Sequence, residues 1–374
     1  MKLTKIRLGN YIMCSTANNR DQKYGVELIQ GVTNEGVFSA PKGNPLDVDL
    51  KPYKLVNNGA FVYNPSRLDL GSIAYRTDGF CIVSHLYIVF YLNEAGKKII
   101  DPTWLFMYFR RKEFYREVTF RNFGSQRPEF NFYDMSDIYI PLPDISIQKK
   151  YVDIYKSMIA NQQSYERGLE DLKLVCDGYI EDLRRKMPCE VIGEYLELVE
   201  SQNDELEFGI ESVRGVSIGK EFIETKADMK GVDLRPYLLV QPNDFAYVTV
   251  TSRNGEKISI ALNDSDITYI CSSSYVVFRS KDTEKLLPQY LILYFSRPEF
   301  NRYARFNSWG SARETFDWSE MCALQIPIPD IQIQRAIAEI FNVYTTRKRI
   351  NEQLKTQIKD ICPILIRGSL EHGG

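Results

Sequence analysis

The sequence predicts an α+β protein built twice: two tandem domains of mixed strands and helices, separated by two long helices that pack on one another as a coiled coil. Three observations predict it. A rare phrase, Ile140-Pro-Leu-Pro-Asp-Ile-Ser-Ile-Gln148, returns 186 residues later as Ile326-Pro-Ile-Pro-Asp-Ile-Gln-Ile-Gln334 in a chain of 374. Each copy leads into a long polar stretch with apolar residues at heptad spacing. The residues ahead of the two copies also match one another in order.

That match keeps its register. Gly9 and Tyr11 pair with Gly193 and Tyr195, Gly25-Val26-Glu27 with Gly209-Ile210-Glu211, Tyr53 with Tyr237, and Phe61-Val-Tyr63 with Phe245-Ala-Tyr247. The offset drifts through one hairpin-like region, where Ile73-Ala74 matches Ile260-Ala261. It settles for Glu113-Phe114 with Glu299-Phe300 and Gly124-Ser125 with Gly310-Ser311. Loop insertions produce such drift; chance similarity does not keep glycines, prolines and aromatics in order. The boundaries that follow are a first domain over 1–145, a long helix over 146–187, a second domain over 188–330 and a second long helix over 331–370.

Within each domain, β-branched and aromatic runs predict strands at 61–63, 73–75, 83–92, 245–250, 258–261 and 275–279. Asn254-Gly255 is a hairpin signal. A helix follows in each, over 102–115 and 288–303, with proline near its start. The aromatic residues Trp104, Phe106, Tyr108 and Phe109, and Tyr290, Tyr294 and Phe295, read as core rather than as a base-stacking platform. Cations crowd the next stretch: 110–127 holds six against Glu113 and Glu117, and 297–313 holds four arginines against Glu299. One such run is an ordinary solvated helix face. Two at equivalent places suit phosphate contact equally well. A loop then carries glycine, serine and a cation: Gly124-Ser-Gln-Arg127 and Gly310-Ser-Ala-Arg313. Glycine admits close backbone approach, and serine, glutamine and arginine offer donors to phosphates and base edges.

Proline blocks helix before it and does not join a strand ladder, so the repeated phrase ends each domain. The first long helix carries a stripe of Leu169, Leu172, Cys176, Tyr179 and Leu183. The second carries Ile337, Ile340, Tyr344, Ile350, Leu354, Ile358 and Ile361, and Pro363 is expected to kink or end it. Neither helix buries its stripe alone. Paired, they make a rod on the order of 60 Å, against about 34 Å for a turn of DNA.

Composition narrows the function. The apolar and charged fractions are those of a globular protein, and no apolar run follows Met1 as a secretory signal requires. The longest apolar stretch, 80–92, is too short to span a bilayer. A cytoplasmic protein is expected. Seven scattered cysteines without paired spacing suit free thiols, and two histidines with no HExxH leave little for metal catalysis. There is no GxxxxGK[ST] loop, no GxGxxG and no credible catalytic triad. Tyr63-Asn-Pro-Ser66 falls short of the Asn-Pro-Pro-Tyr motif of amino-methyltransferases and reads as a turn. No catalytic or metal-binding residue is assigned.

Two diverged domains, each closed by Ile-Pro-x-Pro-Asp-Ile-x-Ile-Gln and a long helix, resemble the specificity subunit of type I restriction-modification enzymes over essentially the whole chain. The family often has Glu-Gln where this chain has Ile147-Gln148 and Ile333-Gln334. The resemblance implies that each domain is a target-recognition domain reading half of a split DNA sequence, and that the helices form an antiparallel coiled coil setting the spacing. It implies partners: double-stranded DNA, methyltransferase subunits using S-adenosylmethionine, and a restriction motor-nuclease using ATP and Mg. The chain itself would bind no cofactor and perform no chemistry. An asymmetric target is expected. The candidate DNA-binding residues are Arg67, Arg76, Ser125, Gln126 and Arg127 in the first domain and Ser252, Arg253, Ser311 and Arg313 in the second. Gln126 suits bidentate adenine readout. The competing readings are a related modification or phage-defence complex of another type, and a coiled-coil scaffold that binds no DNA.

Overall fold

The computed structural model describes residues 3–41, 48–122, 129–225, 227–251, 257–310 and 313–373. It divides into two compact units, one of Met1–Ser164 with Ile350–Gly374, the other Tyr165–Arg349. Each unit therefore takes part of both long helices.

In the first unit, β1 (Thr4–Arg7) leads to β2 (Ile12–Cys14), β3 (Phe61–Tyr63), β4 (Ile73–Tyr75) and β5 (Ile88–Leu92). The last four form an antiparallel sheet in the order β2-β5-β3-β4, with Ile12 opposite Leu92, Phe61 opposite Phe90 and Phe61 opposite Tyr75. Helices α1 (Pro102–Phe109) and α2 (Lys112–Arg121) follow, then β6 (Tyr139–Leu142) and the long α3 (Ile145–Lys186). The second unit repeats this with β7 (Cys189–Val191), β8 (Leu196–Leu198), β9 (Phe245–Val248), β10 (Ile260–Leu262), β11 (Tyr275–Ser280), α4 (Pro288–Phe295), α5 (Pro298–Phe306), β12 (Gln325–Pro327) and α6 (Ile331–Glu371). Its sheet order is β8-β11-β9-β10, strand for strand the same.

The cores repeat as well. Phe61 stacks on Phe90 with centroids 5.0 Å apart, and Phe109 meets Phe61 edge-on; Phe245 stacks on Phe278 at 4.9 Å, and Phe295 meets Phe245 edge-on. Trp104, Phe109, Tyr290 and Phe295 are fully buried, so the aromatic clusters are core. The backbone keeps its left-handed turns even where the residue changes: Gln22 and Leu206, Gly36 and Lys220, and Gly59 and Asn243 all have positive φ. Gly9 and Gly193 are both forced, since an added Cβ would lie 2.8 Å from Ser136 Cβ and 2.7 Å from Cys322 Cβ.

The predicted α+β organisation is borne out, with local corrections. The single strand expected over 83–92 is two, Cys81–Val83 and Ile88–Leu92. The helix expected over 102–115 breaks at Arg110-Arg111, and that over 288–303 breaks at Ser296-Arg297, where Pro298 disfavours helix in the residue before it. The phrase's prolines do enter strands. Pro141 sits opposite Lys5 in the β1–β6 pair, and Pro327 opposite Cys189 in β7–β12. A two-stranded ladder leaves one edge of each strand unpaired, which tolerates a missing N–H. Helix α6 runs through Pro363. Beyond it Leu365 and Ile366 are buried in the first core and the Trp104 indole N–H donates to Ser369 Oγ at 3.0 Å, contacts that offset the proline penalty of about 3 kcal/mol.

The long helices run antiparallel inside each unit. In the first, Gln162 Nε2 donates to Asn351 Oδ1 at 3.0 Å, and Tyr151 lies against Gly368 and His372. In the second, Arg347 lies over the Tyr165 ring, and Cys176 and Ile180 share a core with Ile337 and Phe341. The seam passes through Ile180 rather than Tyr179, which is exposed. An α-helix turns slightly less per residue than a strict heptad requires, and here the stripe follows the helix.

Candidate nucleic-acid interface

In each unit one backbone hydrogen bond ties the end of a central strand to the segment after the cationic helix. Phe130 N–H donates to Pro65 O at 3.1 Å, and Phe316 N–H donates to Thr249 O at 2.8 Å. These are equivalent positions. They bring the Asn64–Arg67 turn to the segment following 123–128 in the first unit. In the second, Thr251 N–H also donates to Glu314 O at 3.0 Å, which sets Thr251 beside the Arg313-Glu314 step.

Arg67 projects into solvent from a turn held by Asn64, whose Oδ1 accepts from Ser66 N–H at 3.0 Å and whose carbonyl accepts from Arg67 N–H at 3.1 Å. Among the described residues its guanidinium has no partner. Arg76 differs. Its Nη2 donates to Gln30 Oε1 at 2.7 Å, and its guanidinium lies 4.3 Å from the Phe38 ring centroid, so it braces the hairpin containing Phe38. Arg313 is exposed on a turn closed by paired hydrogen bonds between Trp309 and Thr315, at 3.1 and 2.9 Å. That turn needs Gly310: at its φ of 141°, a Cβ would lie 2.1 Å from Arg313 O. Ser125, Gln126, Arg127, Ser252, Arg253 and Ser311 lie outside the described residues.

The cationic runs are less available to phosphate than their counts suggest. Arg110 turns inward, its Nη1 donating to Gly71 O at 2.5 Å and its Nη2 to Asn34 O at 3.1 Å. Arg111 stacks on Tyr108. Arg297 is buried, with its Nε 3.2 Å from Asp177 Oδ1 and its Nη2 2.5 Å from Glu181 Oε1. Arg116, Arg121 and Arg302 pair with Glu113, Glu117 and Glu299 on their own helices, and Arg305 pairs with Glu314. Exposed pairs of this kind hold about 0.3–0.5 kcal/mol each and rearrange readily.

The second unit fills the place of Arg110 from another position. Lys220 Nζ donates to Ile258 O and to Asn301 Oδ1, both at 2.8 Å. Ile258 is the counterpart of Gly71. Burial lowers the ammonium pKa to about 7. Sequence reasoning missed this exchange, although Gly36 opposite Lys220 was its trace. Among the described residues no cluster of His, Cys, Asp and Glu is placed to hold a metal ion, and no helix is long and apolar enough to cross a membrane.

A family model described as "Type I restriction modification DNA specificity domain" matches residues 8–173 and 239–360. The fold is similar to that of the type I restriction-modification system S subunit from M. genitalium, with a TM-score of 0.59 at 11% identity, over 99% of this chain and 95% of that one. Weaker likeness extends to the HsdS subunit from Thermoanaerobacter tengcongensis, with TM-score 0.42, 16% identity and coverage of 98% and 96%. A chain from work on complex assembly and conformational transition of the type I R-M system gives TM-score 0.49, 17% identity and coverage of 99% and 100%. A comparison with curated protein sequences gives no match.

Proposed function

The chain belongs to the family of type I restriction-modification DNA specificity domains, and from that premise we propose that it reads a split, asymmetric DNA target for a methyltransferase. Residues 1–145 and 188–330 are the two recognition domains, each reading one half-site. The helices over 146–187 and 331–370 set the spacing and dock methyltransferase subunits. Specificity subunits are non-catalytic, and S-adenosylmethionine, ATP and Mg belong to the partner methyltransferase and restriction subunits. The complex works in the cytoplasm.

The observation that supports this reading is the repeated junction at Phe130–Pro65 and Phe316–Thr249, which fixes described residues next to the candidate segments of each domain. The frame is the same twice, whereas the adjoining sequences differ, as two unlike half-sites require. Phosphate contacts then set register, and a few side chains read base edges. Arg67 and Arg313 are the exposed candidates among the described residues, Arg76 being engaged with Gln30 and Phe38, with Ser125, Gln126, Arg127, Ser252, Arg253 and Ser311 in the adjoining sequence.

Selection from randomised duplex DNA by the chain bound to its methyltransferase tests the proposal. It is expected to enrich two short elements separated by a fixed gap of arbitrary sequence. A single contiguous motif, or none, refutes it. Titration of the chain alone with S-adenosylmethionine is expected to show no heat of binding.

A further inference from the structure

Base-reading surfaces must differ between two domains that read different half-sites. A surface exposed and unchanged in both must face something identical at both ends. One such surface lies on a short helix of each unit. On α2, Glu113, Arg116 and Phe120 fall at i, i+3 and i+7, on one face of the helix. On α5, Glu299, Arg302 and Phe306 repeat it. The rings of Phe120 and Phe306 belong to residues 81% and 78% exposed. The arginines pair with the glutamates in the same way, Arg116 Nη2 3.2 Å from Glu113 Oε1 and Arg302 Nη2 2.8 Å from Glu299 Oε1.

Folding does not require this stripe. The other face of α2 buries Phe114 and Val118, and that of α5 buries Phe300 and Ala304. Several other exposed apolar residues change between repeats: Met13 matches Glu197, Leu86 matches Ser274 and Tyr133 matches Ser319, while Val48 and Val232 are kept with smaller side chains that are 45% and 40% exposed. Two things are the same at both half-sites, the phosphate backbone and the catalytic partner. An outward carboxylate and a neutral Glu–Arg pair are poorly matched to phosphate, which needs net positive charge. An exposed phenylalanine flanked by arginine is instead the composition of a protein-binding hot spot.

We propose that these two stripes are equivalent docking points for two copies of one protein, the methyltransferase subunit, one on each recognition domain. The proposal rests on the functional reading above. Each Phe would enter an apolar pocket on the partner, with the Glu–Arg pair at its polar rim.

Native mass spectrometry of the full chain with its methyltransferase, titrated across concentration, tests this. The unaltered chain is expected to bind two copies. Phe120→Ala and Phe306→Ala are each expected to weaken one copy at least 10-fold and leave the other unchanged, and the double variant to weaken both. Met13→Ala, an exposed apolar residue without a repeat counterpart, is expected to change nothing. Two tightly bound copies on the double variant overturn the proposal. So does unchanged partner binding with weakened DNA capture, which would turn the stripe towards DNA. An unaltered chain that binds no methyltransferase defeats the functional reading itself.

Discussion

Gln148 and Gln334, the residues that end the repeated phrase, make the same three hydrogen bonds in the two units. Gln148 Oε1 accepts from Asp101 N–H, and its Nε2 donates to Ile99 O and Pro143 O, all at 2.8 Å. Gln334 Oε1 accepts from Leu287 N–H at 2.9 Å, and its Nε2 donates to Lys285 O and Pro329 O at 2.8 Å. Both are fully buried. Each carboxamide therefore fastens the first turn of a long helix to the loop that starts α1 or α4. Gln148→Leu removes the partner of three backbone groups, one buried and two half-buried, and a buried group left unsatisfied costs about 1–3 kcal/mol. It is expected to lower the urea midpoint strongly, and Gln334→Leu to do the same. Midpoints like that of the unaltered chain contradict the clamp.

Arg297 joins α3 to the second recognition domain through Asp177 and Glu181. Its counterpart Arg111 donates from Nε to Tyr108 O at 3.1 Å and has no carboxylate partner among the described residues. Arg297→Met leaves two partly exposed carboxylates without their cation and is expected to destabilise the fold measurably, and Arg111→Met by less. Arg297 holds the Glu181 carboxyl below its usual range. That stabilisation is present above the ordinary glutamate pKa and is lost as pH falls through the depressed folded value. Unfolding midpoints between pH 3 and 6 should therefore lose part of their acid dependence in Arg297→Met.

Lys220 predicts the opposite pH window. Burial lowers its folded pKa to about 7, whereas the unfolded lysine holds its proton to about 10.5. Between those values the unfolded chain binds more protons, so stability rises with pH. Lys220→Met is expected to remove that rise. Parallel stability profiles for the two proteins from pH 7 to 10 would show that Lys220 titrates normally.

The arginines separate by their surroundings. Arg67→Ala and Arg313→Ala are each expected to lower the salt slope of DNA binding by about one, measured by titration in increasing salt. Arg127→Ala is expected to do likewise, and Gln126→Ala to relax preference at one base. Arg76→Ala is expected to loosen the hairpin at Phe38, read as faster amide exchange there. A normal exchange rate with a reduced salt slope would place Arg76 on the DNA instead.

Much of this fold is legible because it is written twice. Neither strand pattern alone is decisive, but Phe61-Val-Tyr63 and Phe245-Ala-Tyr247 in register identify a central strand. What stayed hidden depends on distant contacts. The break at Arg110-Arg111 has neither glycine nor proline to mark it. Pro363 reads as a stop because its cost is local, while the packing of Leu365 and Ile366 that offsets it is not. The cationic runs look like phosphate surfaces because counting cannot see Asp177 and Glu181 arriving at Arg297 from more than a hundred residues away. For the site, sequence pointed to segments; the structure adds the equivalent hydrogen bonds of Phe130 to Pro65 and Phe316 to Thr249 beside them.

The most direct test is methylome mapping of cells expressing this chain with its methyltransferase partner, against cells expressing the partner alone. The account predicts a new motif of two unlike half-sites with a fixed spacer and methylated adenine, and a change in the spacer alone when residues are deleted from the 146–187 helix. No new motif, with both proteins expressed and associated, would contradict it.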